Sequence, residues 1–171
     1  MTFDDRLVIR DGGSEIQLLY LGKGHTDGDA VLWIPWAKVA FLGDLFFNEA
    51  VPNVQDASIL EWMQTLRSAL KLEADIYVPG HGPVGDRKAV ERFLGYLEDL
   101  RAMVQPAVAR GESAEHSVAS IRIPEKYSSY GFQNLFPSNV QKMYAELKAL
   151  QDSAASSAVS PKPKTRTDGR R

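Results

Sequence analysis

Apolar and polar positions change their spacing about one third of the way along the chain. The first part has short runs rich in β-branched and aromatic residues, separated by turn residues. "RLVIR" and "IQLLYLG" flank Asp11-Gly12-Gly13, which predicts a β-hairpin. "AVLWI" and "KVAFLGD" flank "PWAK" and predict a second pair of strands. This second pair is nearly continuous in apolar residues, which is typical of strands buried on both faces.

Helical spacing begins at residue 56. Asp56 is the predicted N-cap of an apolar stripe made of Ile59, Met63, Leu66 and Leu70. A short strand, "DIYVPG", follows, and Asp86 then precedes a second stripe. Two more helices are predicted to begin at Ser113 and at Ser138, where Ser-x-x-Gln fits a capping box.

This order of elements predicts the fold class. Strands come first and helices after, which predicts an α/β protein (α+β layered) in which the trailing helices cover only one face of the sheet. Residues 1–150 are predicted to form the domain. Residues 151–171 lack periodicity and are rich in Ala, Ser, Pro, Lys and Arg, so they are predicted to be a disordered basic tail.

The composition of the chain limits the classes of partner and chemistry that can be expected. A net charge of −2 over 171 residues argues against nucleic acid. The absence of cysteine excludes disulfides, thiolate metal sites and cysteine nucleophiles. The sequence shows no signal peptide and no apolar run near the roughly 20 residues that span a bilayer, so no membrane partner is expected. The compartment is unknown, with the cytoplasm as the default.

Three residues with metal-binding chemistry each follow a predicted strand. They are His25 in "GHTDGD", Asp44 at the end of "KVAFLGD", and His81 in "PGHGP". Taken singly, His25 could be a turn residue and Asp44 a cap. Taken together, they are predicted to meet at one sheet edge, where imidazole and carboxylate suit Zn, Mn or Fe. His116 is predicted to be a surface residue of a short helix.

The motifs "GHTDGDAVLWIP", "KVAFLGDLFFN" and "IYVPGHGP", in this order and spacing, resemble the second half of the metallo-β-lactamase superfamily. The resemblance implies a partial αββα sandwich with two zinc ions (Mn or Fe as alternatives) in the intact site. His25 would bind the first metal, His81 the second, and Asp44 both. Thr26 and Asp29 would support the loop, and no catalytic residue is implied beyond the metal ligands. A metal-bound hydroxide would cleave an ester, thioester, lactone or amide-type bond of a small molecule.

The sequence departs from that family upstream of His25. None of the 24 preceding residues is histidine, so the family's His-x-His-x-Asp-His motif is absent. Two ligands per metal would remain, whereas catalytic zinc normally has three. We therefore expect a fragment that is inactive or weak alone, completed by a missing N-terminal half in cis or trans. If that half carried a signal peptide, the protein would be periplasmic. The alternative is a non-catalytic remnant or half-domain that binds metal weakly or pairs with a partner chain. Either way, an open apolar sheet face is expected.

Overall fold

A computed structural model describes residues 2–159 of the protein. Within this range, one sheet contains five strands in chain order: β1 (Arg6–Asp11), β2 (Ser14–Leu19), β3 (Val31–Ile34), β4 (Val39–Phe47) and β5 (Ile76–His81). Strands β1 to β4 are antiparallel, and β5 runs parallel to β4. Gly12 and Gly13 make the predicted hairpin turn, with φ angles of 53° and 86° that glycine adopts without strain.

The helices follow the strands, which confirms the predicted order and the α/β fold class. They are α1 (Ile59–Ala69), α2 (Arg87–Ala109), α3 (Ala114–Ser120) and α4 (Phe136–Val159). Helices α1 and α2 lie against β4, and α4 packs on α1, α2 and α3. Between residues 2 and 159, no helix has the length and apolar character needed to cross a membrane.

Only one face of the sheet lies in the core. In β4, Ala40 and Leu42 are buried, whereas Phe41 between them is 41% exposed. In β3, Val31 and Trp33 are buried, and the residues between and after them are half-buried. The prediction that these strands are buried on both faces is therefore wrong. A continuous apolar run indicates only that both faces are apolar, and within residues 2–159 the helices cover one of them.

Two of the four helices begin where the sequence predicts. The Asp86 and Ser113 side chains accept hydrogen bonds from Ala89 N–H and His116 N–H, as N-caps do. Helix α1 begins after Ser58 rather than Asp56. Its first amides, those of Ile59 and Leu60, instead donate to the two carboxylate oxygens of Glu146 on α4, at 2.9 Å each.

The capping box at Ser138 is not formed. Helix α4 already begins at Phe136, and the Ser138 hydroxyl donates to the Leu135 carbonyl instead. Pro137 stands in the first turn, where its fixed φ favours a helix start and its missing N–H costs nothing. Helix α4 therefore begins two residues before Ser138, because Pro137 favours the earlier start, and Ser138 does not act as an N-cap.

Helix α4 also continues to Val159, past the predicted start of the disordered tail. Residues 151–159 include three alanines, the residue with the highest helix propensity, which favours the extension of α4 without an apolar stripe. The Lys148 ammonium and the Asp152 carboxylate, 2.7 Å apart, pair across one turn there. The rest of the predicted tail, residues 160–171, lies outside the described residues.

Candidate metal centre

The His25 loop connects β2 to β3 and is fastened to α1. The Ser58 N–H donates to the Gly24 carbonyl at 2.9 Å, and the Thr65 hydroxyl donates to the Lys23 carbonyl at 2.6 Å. Gly24 fits this position because it lacks a side chain: a Cβ there would stand 2.2 Å from the Leu45 side chain. The loop backbone can therefore lie directly against the core, and the His25 side chain remains 20% exposed.

Thr26 and Asp29 hold the turn of this loop. One carboxylate oxygen of Asp29 accepts from the Thr26 N–H at 2.8 Å, and the other accepts from the Thr26 hydroxyl at 3.1 Å. The Thr26 hydroxyl in turn accepts from the Gly28 N–H at 3.2 Å. Two hydrogen bonds from one residue to a single carboxylate define the local backbone, so this pair is built to orient the residue beside it, His25. Their role as supporting residues stays a prediction, and these contacts are consistent with it.

Asp44 and His81 come from neighbouring parallel strands. Asp44 lies near the end of β4, and His81 is the last residue of β5. The carboxyl ends of parallel strands share one edge, which is why residues far apart in sequence meet here. Gly80 makes room for Asp44, since a Cβ on Gly80 would fall 2.0 Å from the Asp44 carboxylate.

The structure brings the three predicted residues together, with Asp44 in the middle. One carboxylate oxygen of Asp44 lies 3.9 Å from His25 Nδ1, and the other lies 3.5 Å from His81 Nε2. The side chains of Asp44 and His81 are 41% and 47% exposed. Each carboxylate oxygen thus faces a different imidazole at an accessible edge. His116 lies apart from this group on α3, with its side chain 65% exposed, as predicted for a surface residue.

Two buried aromatic rings form the floor beneath the histidines. The Phe47 ring is 3% exposed and lies 4.8 Å from the His81 ring and 5.9 Å from the His25 ring, measured between centroids. The indole of Trp62 meets His25 edge-on at 5.8 Å, and its N–H donates to the Leu45 carbonyl at 2.9 Å. The two rings pack against the imidazoles, and the side chains of His25 and His81 remain 20% and 47% exposed.

Asn48 fixes the turn that carries His81. It is 4% exposed, its backbone N–H donates to the His81 carbonyl at 2.9 Å, and its side-chain amide donates to the Pro83 carbonyl at 2.8 Å. Gly82 lies directly on it with a φ of 91°, and a Cβ on Gly82 would stand 1.9 Å from the Asn48 carbonyl oxygen. Both glycines that flank His81 therefore allow close packing, Gly80 against Asp44 and Gly82 against Asn48.

A second loop approaches His81 from the helical side. Phe132, which is 52% exposed and has a φ of 58°, meets the His81 ring edge-on at 5.8 Å. This loop is fastened to α2 by Asp99, which accepts from the Tyr127 hydroxyl and from Lys126, each at 2.5 Å. Burial raises the pKa of Asp99, but these two hydrogen bonds outweigh it and hold that pKa below its ordinary value. The contribution of Asp99 to stability is therefore present above the pKa of the unfolded carboxyl and is lost as the pH falls through the folded pKa.

These residues do not make a complete site for a catalytic metal. Among residues 2–159, no three His, Cys, Asp or Glu side chains converge on a single point where an ion would sit. Asp44 can share one position with His25 and another with His81, which gives two ligands at each. Catalytic zinc normally has three protein ligands, so the donor types fit the metal but their number does not.

A family profile described as "Metallo-beta-lactamase superfamily" matches residues 2–81, the part of the chain that carries His25, Asp44 and His81. Residues 2–81 belong to the metallo-β-lactamase superfamily. The resemblance stated from the motifs is thereby confirmed, and so is the metallo-hydrolase-like fold that it implies. The metallo-β-lactamase region contains the whole sheet and α1.

Relatives of the metallo-β-lactamase region differ in their named activities. The chain is 36% identical over 95 residues to a protein of Bacillus cereus named "Metallo-beta-lactamase type 2", covering 53% of this chain and 37% of that protein. It is 33% identical over 78 residues to the "2,4-dinitroanisole O-demethylase subunit alpha" of a Nocardioides strain, covering 45% of this chain and 24% of that protein.

The fold is also similar to solved structures of metallo-β-lactamases. A metallo-beta-lactamase from Pontibacter korlensis superposes with a TM-score of 0.54 at 27% identity, covering 57% of this chain and 47% of that one. The chain thus spans less than half the length of each of these proteins. This fits the partial αββα sandwich expected for the metallo-β-lactamase region.

Sequence reasoning did not find Trp62 or Asn48, which hold this edge together. The role of Asn48 could have been predicted, because its amide directly follows the apolar end of β4, and a buried polar group there needs hydrogen-bond partners. Trp62 carried none beyond its place on the apolar stripe of α1. Phe46 and Phe47 are both buried, and Phe47 also contacts both histidines.

Proposed function

We propose that this chain provides part of the site of a metal-dependent hydrolase, with His25, Asp44 and His81 as ligands to zinc. The observation that supports it best is the position of Asp44, whose two carboxylate oxygens each face a different histidine. Asp44 would therefore hold zinc together with His25 and with His81. The aromatic floor and the hydrogen-bonded loops supply the rigid setting that such a site needs.

Bound zinc would supply an activated water and stabilise developing charge. Other residues of this chain would orient the ligands: Asn48 and Gly82 hold the His81 turn, and Asp29 holds the His25 turn. The further ligands would come from a missing N-terminal half, in cis or in trans. Mn or Fe are alternatives to zinc, since the same donor types bind them.

The proposed substrate is a small molecule with an ester, thioester, lactone or amide-type bond. The names of the relatives include a β-lactamase and an O-demethylase subunit, so relatives of this region differ in the bond that they act on. No residue described here singles out a β-lactam.

Zinc binding tests the ligand assignment. The purified chain should bind zinc far more weakly than a complete site does, because each position offers two ligands. His25→Ala, Asp44→Asn and His81→Ala should each lower the affinity by about tenfold or more, the size of effect seen when a metal site loses even an outer partner. Equilibrium dialysis with metal analysis measures both effects. Two tightly held zinc ions per chain would contradict the incomplete site.

His116→Ala is the matched control for this experiment. It removes the remaining histidine of the sequence from an exposed position on α3, so zinc affinity should not change. If His116→Ala weakens binding as much as the three site variants do, the metal is held by surface histidines and the assignment is wrong.

A hydrolysis assay distinguishes the proposed hydrolase site from the non-catalytic alternative, which is kept because each metal position has only two ligands among residues 2–159. The purified chain with zinc should not hydrolyse nitrocefin or a model thioester. A chimera that joins residues 2–159 to the unmatched part of the Bacillus cereus relative should hydrolyse one of them, and Asp44→Asn should abolish this activity. A chimera that folds and binds zinc tightly but hydrolyses neither would favour a non-catalytic remnant.

A further inference from the structure

A cleft with a volume of about 470 Å³ lies between α2 and the segment that connects α3 to α4. Arg92 and Gly95 line it from α2, and Lys126, Tyr127 and Tyr130 line it from the connecting segment. Helix α2 packs on β4 and β5, so the cleft is on the side of the sheet that the helices cover and not on the open apolar face. Its volume is in the range of small-molecule sites, roughly 300 to 1,000 Å³.

The cleft is separate from the candidate metal centre. His25, Asp44 and His81 do not line it, and of its lining residues only Glu49 falls within the metallo-β-lactamase region. The cleft is therefore a feature of the helical part of this chain.

Gly95 is an unfavourable residue for its position in the cleft wall. It lies in the middle of α2, where glycine is among the residues least suited to a helix. A Cβ at Gly95 would meet nothing within 4 Å, so no neighbouring atom requires a glycine there. The cleft provides a reason for it, because a larger side chain at this position would occupy the space that glycine leaves open.

Glu49 is held at the cleft by a strained backbone. Its φ of 57° is a left-handed conformation that residues other than glycine seldom adopt. The Glu49 carbonyl accepts from the Gly131 N–H, and the Gly131 carbonyl accepts from the Val51 N–H, each at 2.9 Å, which fixes this conformation. Strained residues held in this way concentrate at functional sites. Gly95 and Glu49 are thus two costly residues that line the same cleft.

Two opposite charges in the cleft lack a partner. Among residues 2–159, the Arg92 guanidinium and the Glu49 carboxylate make no ion pair and no side-chain hydrogen bond. Lys126 differs from them, because the Asp99 carboxylate lies 2.5 Å away and neutralises it. Burial raises the pKa of the Tyr130 hydroxyl, while Arg92 lowers it and Glu49 raises it, so both charges act on the same part of the cleft.

We propose that this cleft binds a small zwitterion with an aromatic body, of the class of the aromatic α-amino acids. The Arg92 guanidinium would bind the carboxylate, and the Glu49 carboxylate would bind the ammonium group. The rings of Tyr127 and Tyr130, with centroids 5.0 Å apart, supply an aromatic wall for the body of the ligand. This binding does not depend on the proposed hydrolase function.

Titration of the purified chain with L-phenylalanine, followed by NMR chemical shifts without added zinc, tests the site. Phenylpropionate lacks the ammonium group and phenylethylamine lacks the carboxylate, so each should bind more weakly than L-phenylalanine. Arg92→Gln should weaken the binding of L-phenylalanine and phenylpropionate by about tenfold and leave phenylethylamine unaffected, since it removes one charged partner. Glu49→Gln should weaken L-phenylalanine and phenylethylamine and leave phenylpropionate unaffected.

Gly95→Leu separates loss of the cleft from loss of the fold. Leucine favours a helix far more than glycine does, so the thermal midpoint should be maintained or raised. The binding of all three probes should nevertheless be lost, because the side chain fills the cleft.

Arg101→Gln is the matched control for Arg92→Gln. Arg101 is exposed on the same helix and does not line the cleft. It lies nine residues further along, which is two and a half helical turns and therefore the opposite side of α2. Its replacement should leave the binding of every probe unchanged.

Three results would overturn the proposal. The first is a parent chain that does not bind L-phenylalanine. The second is equal binding of phenylpropionate and L-phenylalanine with no effect of Glu49→Gln, which would indicate a plain anion site. The third is binding that survives Gly95→Leu or that Arg101→Gln weakens as much as Arg92→Gln does, which would indicate attraction to surface charge. Zinc takes no part in these measurements, so their outcome is distinct from that of the hydrolase proposal.

Discussion

Gly82→Ala is expected to lower the free energy of unfolding by about 2–4 kcal/mol, as large steric and backbone effects do. The added methyl would lie 1.9 Å from the Asn48 carbonyl oxygen. That oxygen belongs to the backbone, so it cannot move aside as a flexible side chain can. The φ of 91° adds strain for any residue with a Cβ. Urea denaturation monitored by circular dichroism measures the loss.

The same substitution should also displace His81, because Gly82 follows it directly and Asn48 holds its carbonyl. Zinc affinity should therefore fall together with stability. Gly28→Ala is the control within the other metal-site loop, since a Cβ there meets nothing within 4 Å. It should change stability by less than about 0.5 kcal/mol. If Gly82→Ala is equally mild, the turn adapts and the close contact is not required.

Trp62→Ala is expected to cost about 3–5 kcal/mol of stability, the usual range for a large aromatic removed from a core. Trp62 is fully buried on α1, and its ring lies 5.6 Å from Phe93 and 6.2 Å from Phe47. The cavity would open beneath His25, whose ring Trp62 supports. Chemical denaturation gives the magnitude.

Trp62→Phe separates packing from hydrogen bonding. It keeps a ring but leaves the Leu45 carbonyl without its indole donor, which should cost about 1–3 kcal/mol. Leu150→Ala at an exposed position should change stability by less than about 0.5 kcal/mol. Equal losses for Trp62→Phe and Trp62→Ala would mean that the hydrogen bond matters more than the volume of the ring.

The sequence predicted the strands, the hairpin turn and the meeting of His25, Asp44 and His81, because each depends on a local signal. Turn glycines mark strand ends, and strand ends of one sheet share an edge. The start of α1 could not be predicted in this way. Its amides are satisfied by Glu146, which is 87 residues away from Ile59 in the sequence and outside any local capping pattern.

The exposure of the sheet was predictable only in part. An open apolar face was expected from the residues and the family, yet the continuous apolar runs of β3 and β4 were interpreted as burial on both sides. Hydrophobicity reports what a face can contact, whereas burial depends on which layer is present to contact it. Phe41 is apolar and exposed for this reason.

The cap on α1 has a consequence for motion at the metal-site edge. Glu146 of α4 binds the first amides of α1, and α1 in turn holds the His25 loop through Ser58 and the end of β4 through Trp62. Loss of the Glu146 contact would loosen all of these together. Helix α4, the start of α1 and the His25 loop should thus open as one cooperative unit, so that the mobility of His25 depends on α4 through α1.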